Sequence, residues 1–100
     1  MLYQITWNAI STGLGQLSGV EEVEAQTTLA ALNAIRTPII SKLSQSGPFA
    51  ILNINFKSKD GGPVTVNLQA IYQAMNSINA EGGLVKYENP PDTFNIKFGD

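Results

Sequence analysis

Gly13, Gly15 and Gly19 fall in one short stretch, Gly-Leu-Gly-Gln-Leu-Ser-Gly. It stands between a segment that alternates like a strand and one spaced like a helix. Glycines there let backbone amides approach an anion at the positive end of a helix, which is the chemistry of a phosphate-binding loop. The neighbours oppose it. Glu21, Glu22 and Glu24 occupy the expected first helical turns and would repel a pyrophosphate. No Lys or Arg lies close by in sequence. A small-ligand or nucleotide site at Gly13, Gly15 and Gly19 is therefore the alternative reading. A flexible loop leading into a capped helix is the main one.

Arg36 is the only arginine, and helical projection sets it within the apolar stripe Leu32, Ile35, Ile39 and Leu43. Its stem can pack on the core edge while the guanidinium reaches water. Alternatively, its planar fork anchors a carboxylate of this chain or of a partner.

Catalytic side chains are scarce. There is no His and no Cys. Nothing then titrates near neutrality in an ordinary environment, no thiolate can attack, and a Ser-His-Asp relay is impossible. The acids gather at one expected helix start, in turns (Asp60, Glu81, Asp92) and at Asp100. Only Glu88 falls on an expected strand, so the two facing carboxylates of a glycosidase are missing. Glu21 with Glu24 is better explained as a helix start than as a cation site. No metal, no cofactor and no enzymatic activity are expected.

Polar residues are more suggestive. Gln4, Thr6, Asn8, Asn53, Asn55, Lys57, Lys86, Asn95 and Lys97 share the outward phase of the expected strands. Short amides and hydroxyls both donate and accept, so such a face suits docking against another protein. Ile51 adds one apolar spot. The same pattern also describes the wet side of a two-layer domain. Tyr3, Trp7, Phe56, Tyr87, Phe94 and Phe98 fall on the inward phase, leaving no aromatics to stack on bases. With a net charge of −2 there is no basic stripe to draw nucleic acid.

These residues need elements to position them. Tyr3, Ile5, Trp7 and Ala9 alternate with Gln4, Thr6 and Asn8, as in a half-buried strand. Ser18 and Glu21 have the spacing of a capping box. Ala25, Leu29, Leu32, Ile35, Ile39, Ile40 and Leu43 then recur at helical spacing up to Gly47 and Pro48. Pro38 either kinks this helix or starts a second one; the stripe stays on one side of it, which favours a kink. Residues 49 to 57 alternate, with Ala50, Leu52, Ile54 and Phe56 inward. A turn at 58 to 63 and a short strand at Val64 and Val66 follow. Asn67 caps a second helix whose buried stripe is Leu68, Ile71, Tyr72, Met75 and Ile78, ended by Gly82 and Gly83. Strands at Val85 and Tyr87 and at 93 to 98 flank an Asn-Pro-Pro-Asp turn. The last of these, a possible sheet edge, is a candidate for pairing with a second copy.

The expectation is one α+β domain over residues 1–100, with two helices on one face of a mostly antiparallel sheet. The element order is β-α-β-β-α-β-β, and ferredoxin-like topology with an extra C-terminal strand is its simplest assembly. Apolar residues make up 43% of the chain, enough for one core without a staple. Charged residues are only 14%, whereas Asn, Gln, Ser and Thr number 29, so the surface is neutral-polar. No signal peptide or membrane span is visible, and a cytoplasmic protein with no membrane partner is expected. Function is read as a non-enzymatic protein-interaction module: a small oligomeric, adaptor, inhibitor or assembly subunit. Its partner is another protein or a second copy of itself. By composition alone this would suit a phage or viral component.

Overall fold

Period-two burial carries the chain from Leu2 to Ser11 as strand β1, with Tyr3, Ile5, Trp7 and Ala9 fully buried. A three-residue loop, Thr12 to Leu14, then reverses it into β2 (Gly15–Glu24). Gly15 has φ +73, the left-handed residue that such a hairpin needs, and Ser11 Oγ accepts from the Leu14 amide at 3.1 Å. The computed structural model describes residues 1–61 and 67–84 and the backbone of 95–98.

The strand β2 corrects the expectation of a loop followed by a helix start at Ser18. Both Ser18 and Glu21 lie inside the strand. The first helix, α1 (Thr28–Ser44), begins later, where Thr27 Oγ1 accepts from the Ala30 amide at 3.1 Å. It runs unbroken through Pro38, so there is one helix and not two. The amide that Pro38 lacks would have bonded the Ala34 carbonyl. Both residues lie on the exposed side, where water can serve that carbonyl. Leu32, Ile35, Ile39 and Leu43 are buried, as their spacing requires.

After α1 comes β3 (Phe49–Ser58), antiparallel to β1. Its alternation is interrupted. Asn8 lies opposite Asn53, but Ala9 lies opposite Ile51, leaving Leu52 as an extra residue in a β-bulge. The bulge shifts the inward phase, so the core residues are Phe49, Ile51, Ile54 and Phe56, and Leu52 is only half-buried. This corrects the placement of Ile51 as an apolar spot on the outer face: it is fully buried under the helices.

Asn67 caps α2 (Leu68–Gly82) as expected, its Oδ1 accepting from the Ala70 amide at 3.2 Å. Ile71, Met75 and Ile78 are buried, Tyr72 is half-buried, and Leu68 is 46% exposed at the helix start rather than part of the stripe. Gly83, at φ +73, closes the helix. At Gly82 the helix meets β3 so closely that a Cβ would overlap the Phe49 carbonyl.

Strand β4 (Asn95–Phe98) runs parallel to β3, and the sheet order is β2-β1-β3-β4. The described elements thus run β-β-α-β-α-β. The expected strands at Val64 and Val66 and at Val85 and Tyr87, and the Asn89–Asp92 turn, lie outside the described residues. The fold is α+β: a three-stranded antiparallel sheet, extended by β4, with both helices on one face. One cluster joins Tyr3, Ile5 and Trp7 of β1, Leu32 and Ile39 of α1, Ile54 and Phe56 of β3, and Ile71 and Met75 of α2. The radius of gyration, 12.9 Å, is that of a compact chain of this length, about 13 Å.

Candidate interaction surface

The register decides which side chains share the face of the sheet turned away from α1 and α2. Opposed residues lie on the same side. Gln4 stands between Glu22 and Lys57, Thr6 between Val20 and Asn55, and Asn8 between Ser18 and Asn53. Asn95 and Lys97 of β4 take register positions opposite Asn53 and Asn55. Gln4, Thr6, Asn8, Asn53, Asn55 and Lys57, six of the nine polar residues singled out in the sequence, therefore share one face. Asn95 and Lys97 are placed by backbone register alone, and Lys86 lies outside the described residues. The rows pack closely: Gln4, Thr6, Asn53 and Asn55 are half-buried, whereas Asn8 and Lys57 are exposed. Asn55 Oδ1 is buried without a hydrogen-bond partner among the described residues. Asn8, Gln16, Leu17 and Ser18 line a shallow open depression of about 310 Å³.

Strand β2 supplies residues that sequence reasoning missed. Val20 lies on this outer face and is 53% exposed. The hydrogen-bond phase of the strand follows from two contacts. The Ala25 amide donates to the Met1 carbonyl at 3.0 Å, and the Lys59 amide to the Leu2 carbonyl at 2.8 Å. Bonded pairs alternate in an antiparallel ladder. Odd-numbered residues of β1 therefore bond to β2, and even-numbered ones to β3. On β2, Leu17, Gly19, Glu21 and Val23 are tied to β1. The amides and carbonyls of Gln16, Ser18, Val20, Glu22 and Glu24 turn outward, where no described strand pairs with them. All five of these residues are exposed.

The glycine stretch has a structural use. Gly13 donates its amide to the Ser46 carbonyl at 2.9 Å and lies too close to Ser46 for a side chain. Gly15 makes the hairpin turn. Gly19 lies directly across from Trp7, whose indole occupies the space a Cβ would need. No helix starts beside these glycines, so the geometry that a phosphate-binding loop requires is not formed there.

Arg36 reaches from α1 to α2. One of its terminal nitrogens donates to Glu81 Oε2 at 2.6 Å and to Ser77 Oγ at 3.0 Å. The guanidinium therefore faces a carboxylate of its own chain at a partly exposed helix–helix seam. Glu22 pairs with Lys59 at 2.8 Å near the outer face. Both pairs are solvent-exposed to a degree at which such contacts contribute little to stability.

Among the described residues, no group of His, Cys, Asp and Glu is arranged to hold a metal ion. No helix among them is long and apolar enough to cross a membrane. No protein-family model, curated protein or solved structure matches this chain.

Proposed function

We propose that the chain is a non-enzymatic protein-interaction module whose partner is a second copy of itself. The observation that carries this reading is β2, a ten-residue strand at the end of the sheet order among the described residues, with exposed Val20 in its middle. A long edge of this kind offers a row of donors and acceptors to another strand. The sheet face turned away from α1 and α2 adds amides and hydroxyls that can meet a partner with either hydrogen-bonding sense. The low charge of the chain supports the reading, because two copies repel each other only weakly at a net charge of −2 each.

Light scattering coupled to gel filtration over a concentration series tests it. The expected mass rises from 10.7 kDa toward twice that value as concentration increases. A mass fixed at 10.7 kDa up to millimolar chain would overturn the proposal.

A further inference from the structure

Resting on that reading, we infer that the second copy adds antiparallel to β2 in one register, with a two-fold axis through Val20. Three constraints select it.

The first is hydrogen-bond parity. Only Gln16, Ser18, Val20, Glu22 and Glu24 turn their backbone groups outward. Two β2 strands can therefore bond only if these residues face one another. A slip by one residue would set outward groups against inward ones and lose every bond.

The second is charge. The first half of β2, Gly15 to Val20, has no charged residue, and the second half carries Glu21, Glu22 and Glu24. Like charges directly opposite destabilise a strand pair. An axis through Glu21 or Glu22 would set a carboxylate against its own copy. With the axis at Val20, Glu22 faces Ser18, Glu24 faces Gln16 and Glu21 faces Gly19, so no glutamate meets another.

The third is extent and packing. The Val20 axis engages all five outward residues in each copy. An axis through Gly19 sets Glu21 against Leu17, and one through Ser18 leaves Glu22 and Glu24 beyond the paired segment. At the Val20 axis the two exposed valines meet on the outer face. On the helix side, half-buried Leu17 meets half-buried Val23 of the second copy. The contact is isologous and closes, as a two-fold dimer requires. It joins the two sheets through their β2 strands and leaves β4 at both ends of the described order.

The chain has no native cysteine, so thiol cross-linking reads the register directly. Val20→Cys is expected to give a covalent dimer with a short bismaleimide. Leu14→Cys, at the exposed hairpin tip, is expected to give none. In this register the two copies of residue 14 are twelve strand steps apart, roughly 40 Å. Val20→Lys sets two ammonium groups on the axis and is expected to weaken dimerisation roughly tenfold, with unchanged circular dichroism. Amide exchange in the native chain is an independent reading that needs no variant. The Ser18, Val20 and Glu22 amides should gain protection as concentration rises, while those of Leu17, Gly19 and Glu21 should not change. A dimer that cross-links at residue 14 but not at 20, or in which those three amides stay unprotected, would overturn the register and leave self-association standing. A chain that remains monomeric throughout would remove both.

Discussion

At Ile51 the strand turns its amide and carbonyl away from β1, beyond the reach of β4, which pairs only with residues 53 to 56. The side chain of Asn79 meets both groups: its Oδ1 accepts from the Ile51 amide at 2.8 Å, and its Nδ2 donates to the Ile51 carbonyl at 3.1 Å. A primary amide has the same donor–acceptor pair as a strand residue. Asn79 thus continues the edge of β3 between β4 and the bridge from Phe49 to Gly83, and it is fully buried. Asn79→Ala would strand two buried backbone groups and is expected to cost about 2–4 kcal/mol. Urea unfolding with an unchanged slope measures it. A loss below about 0.5 kcal/mol would show that Ile51 finds other partners. In the sequence, Asn79 follows Ile78 on an apolar stripe and looks like an ordinary polar residue at a helix end. Nothing local signals that the bulge at Leu52 has freed the groups of Ile51, 28 positions earlier, that it binds. Gly19 was equally opaque: its reason is the indole of Trp7 across the hairpin, a neighbour that only strand register reveals.

Elements with a single strong period were legible. The strand β1, the buried positions Leu32, Ile35, Ile39 and Leu43 of α1 and Ile71, Met75 and Ile78 of α2, and the Asn67 cap follow from local spacing, whereas Ala25 lies before α1 and Leu68 is exposed. The strand β2 was not, because two signals competed. Ser18 and Glu21 have the spacing of a capping box, and Val20 with Val23 has helical spacing. The strand's own alternation is masked by glycine at 19 and glutamate at 21, both facing the helix layer. Pairing with β1 over ten residues outweighs these local hints, since β1 must bond on both edges to be a central strand. The phase of β3 is hidden for a related reason: Phe49 to Leu52 is an unbroken apolar run, in which period two cannot choose a phase. The caps separate the two accounts of where α1 begins. Thr27→Ala should lose about 1 kcal/mol, because it removes the acceptor of the Ala30 amide. Ser18→Ala, on an exposed strand position, should stay within about 0.5 kcal/mol. Chemical denaturation of the two variants decides it, and the reverse ranking would return the helix start to Ser18.

Neither layer of the molecule can stand alone. The helices, of 17 and 15 residues, are close to the length below which isolated helices are marginal in water. The hairpin of β1 and β2 needs its Trp7 side covered. Trp7 is the only tryptophan and is fully buried. It lies against Gly19 of β2, and the Lys42 ammonium of α1 sits 5.6 Å from its ring centroid. Its fluorescence therefore reports on hairpin and helix layer together, whereas far-ultraviolet circular dichroism is dominated by the helices. If one core holds both layers, the two signals should share one urea midpoint and one slope, about 1–3 kcal/mol per molar urea. A helical signal that survives after Trp7 emission has shifted to that of water would mean that α1 and α2 hold each other without the sheet. Arg36, Ser77 and Glu81 supply only a partly exposed contact between those helices. Leu32 and Ile39 of α1 and Ile71 and Met75 of α2 belong to one buried cluster with Ile54 and Phe56 of the sheet. Because the apolar residues of both helices and of the sheet form one cluster, the transition is expected to be single.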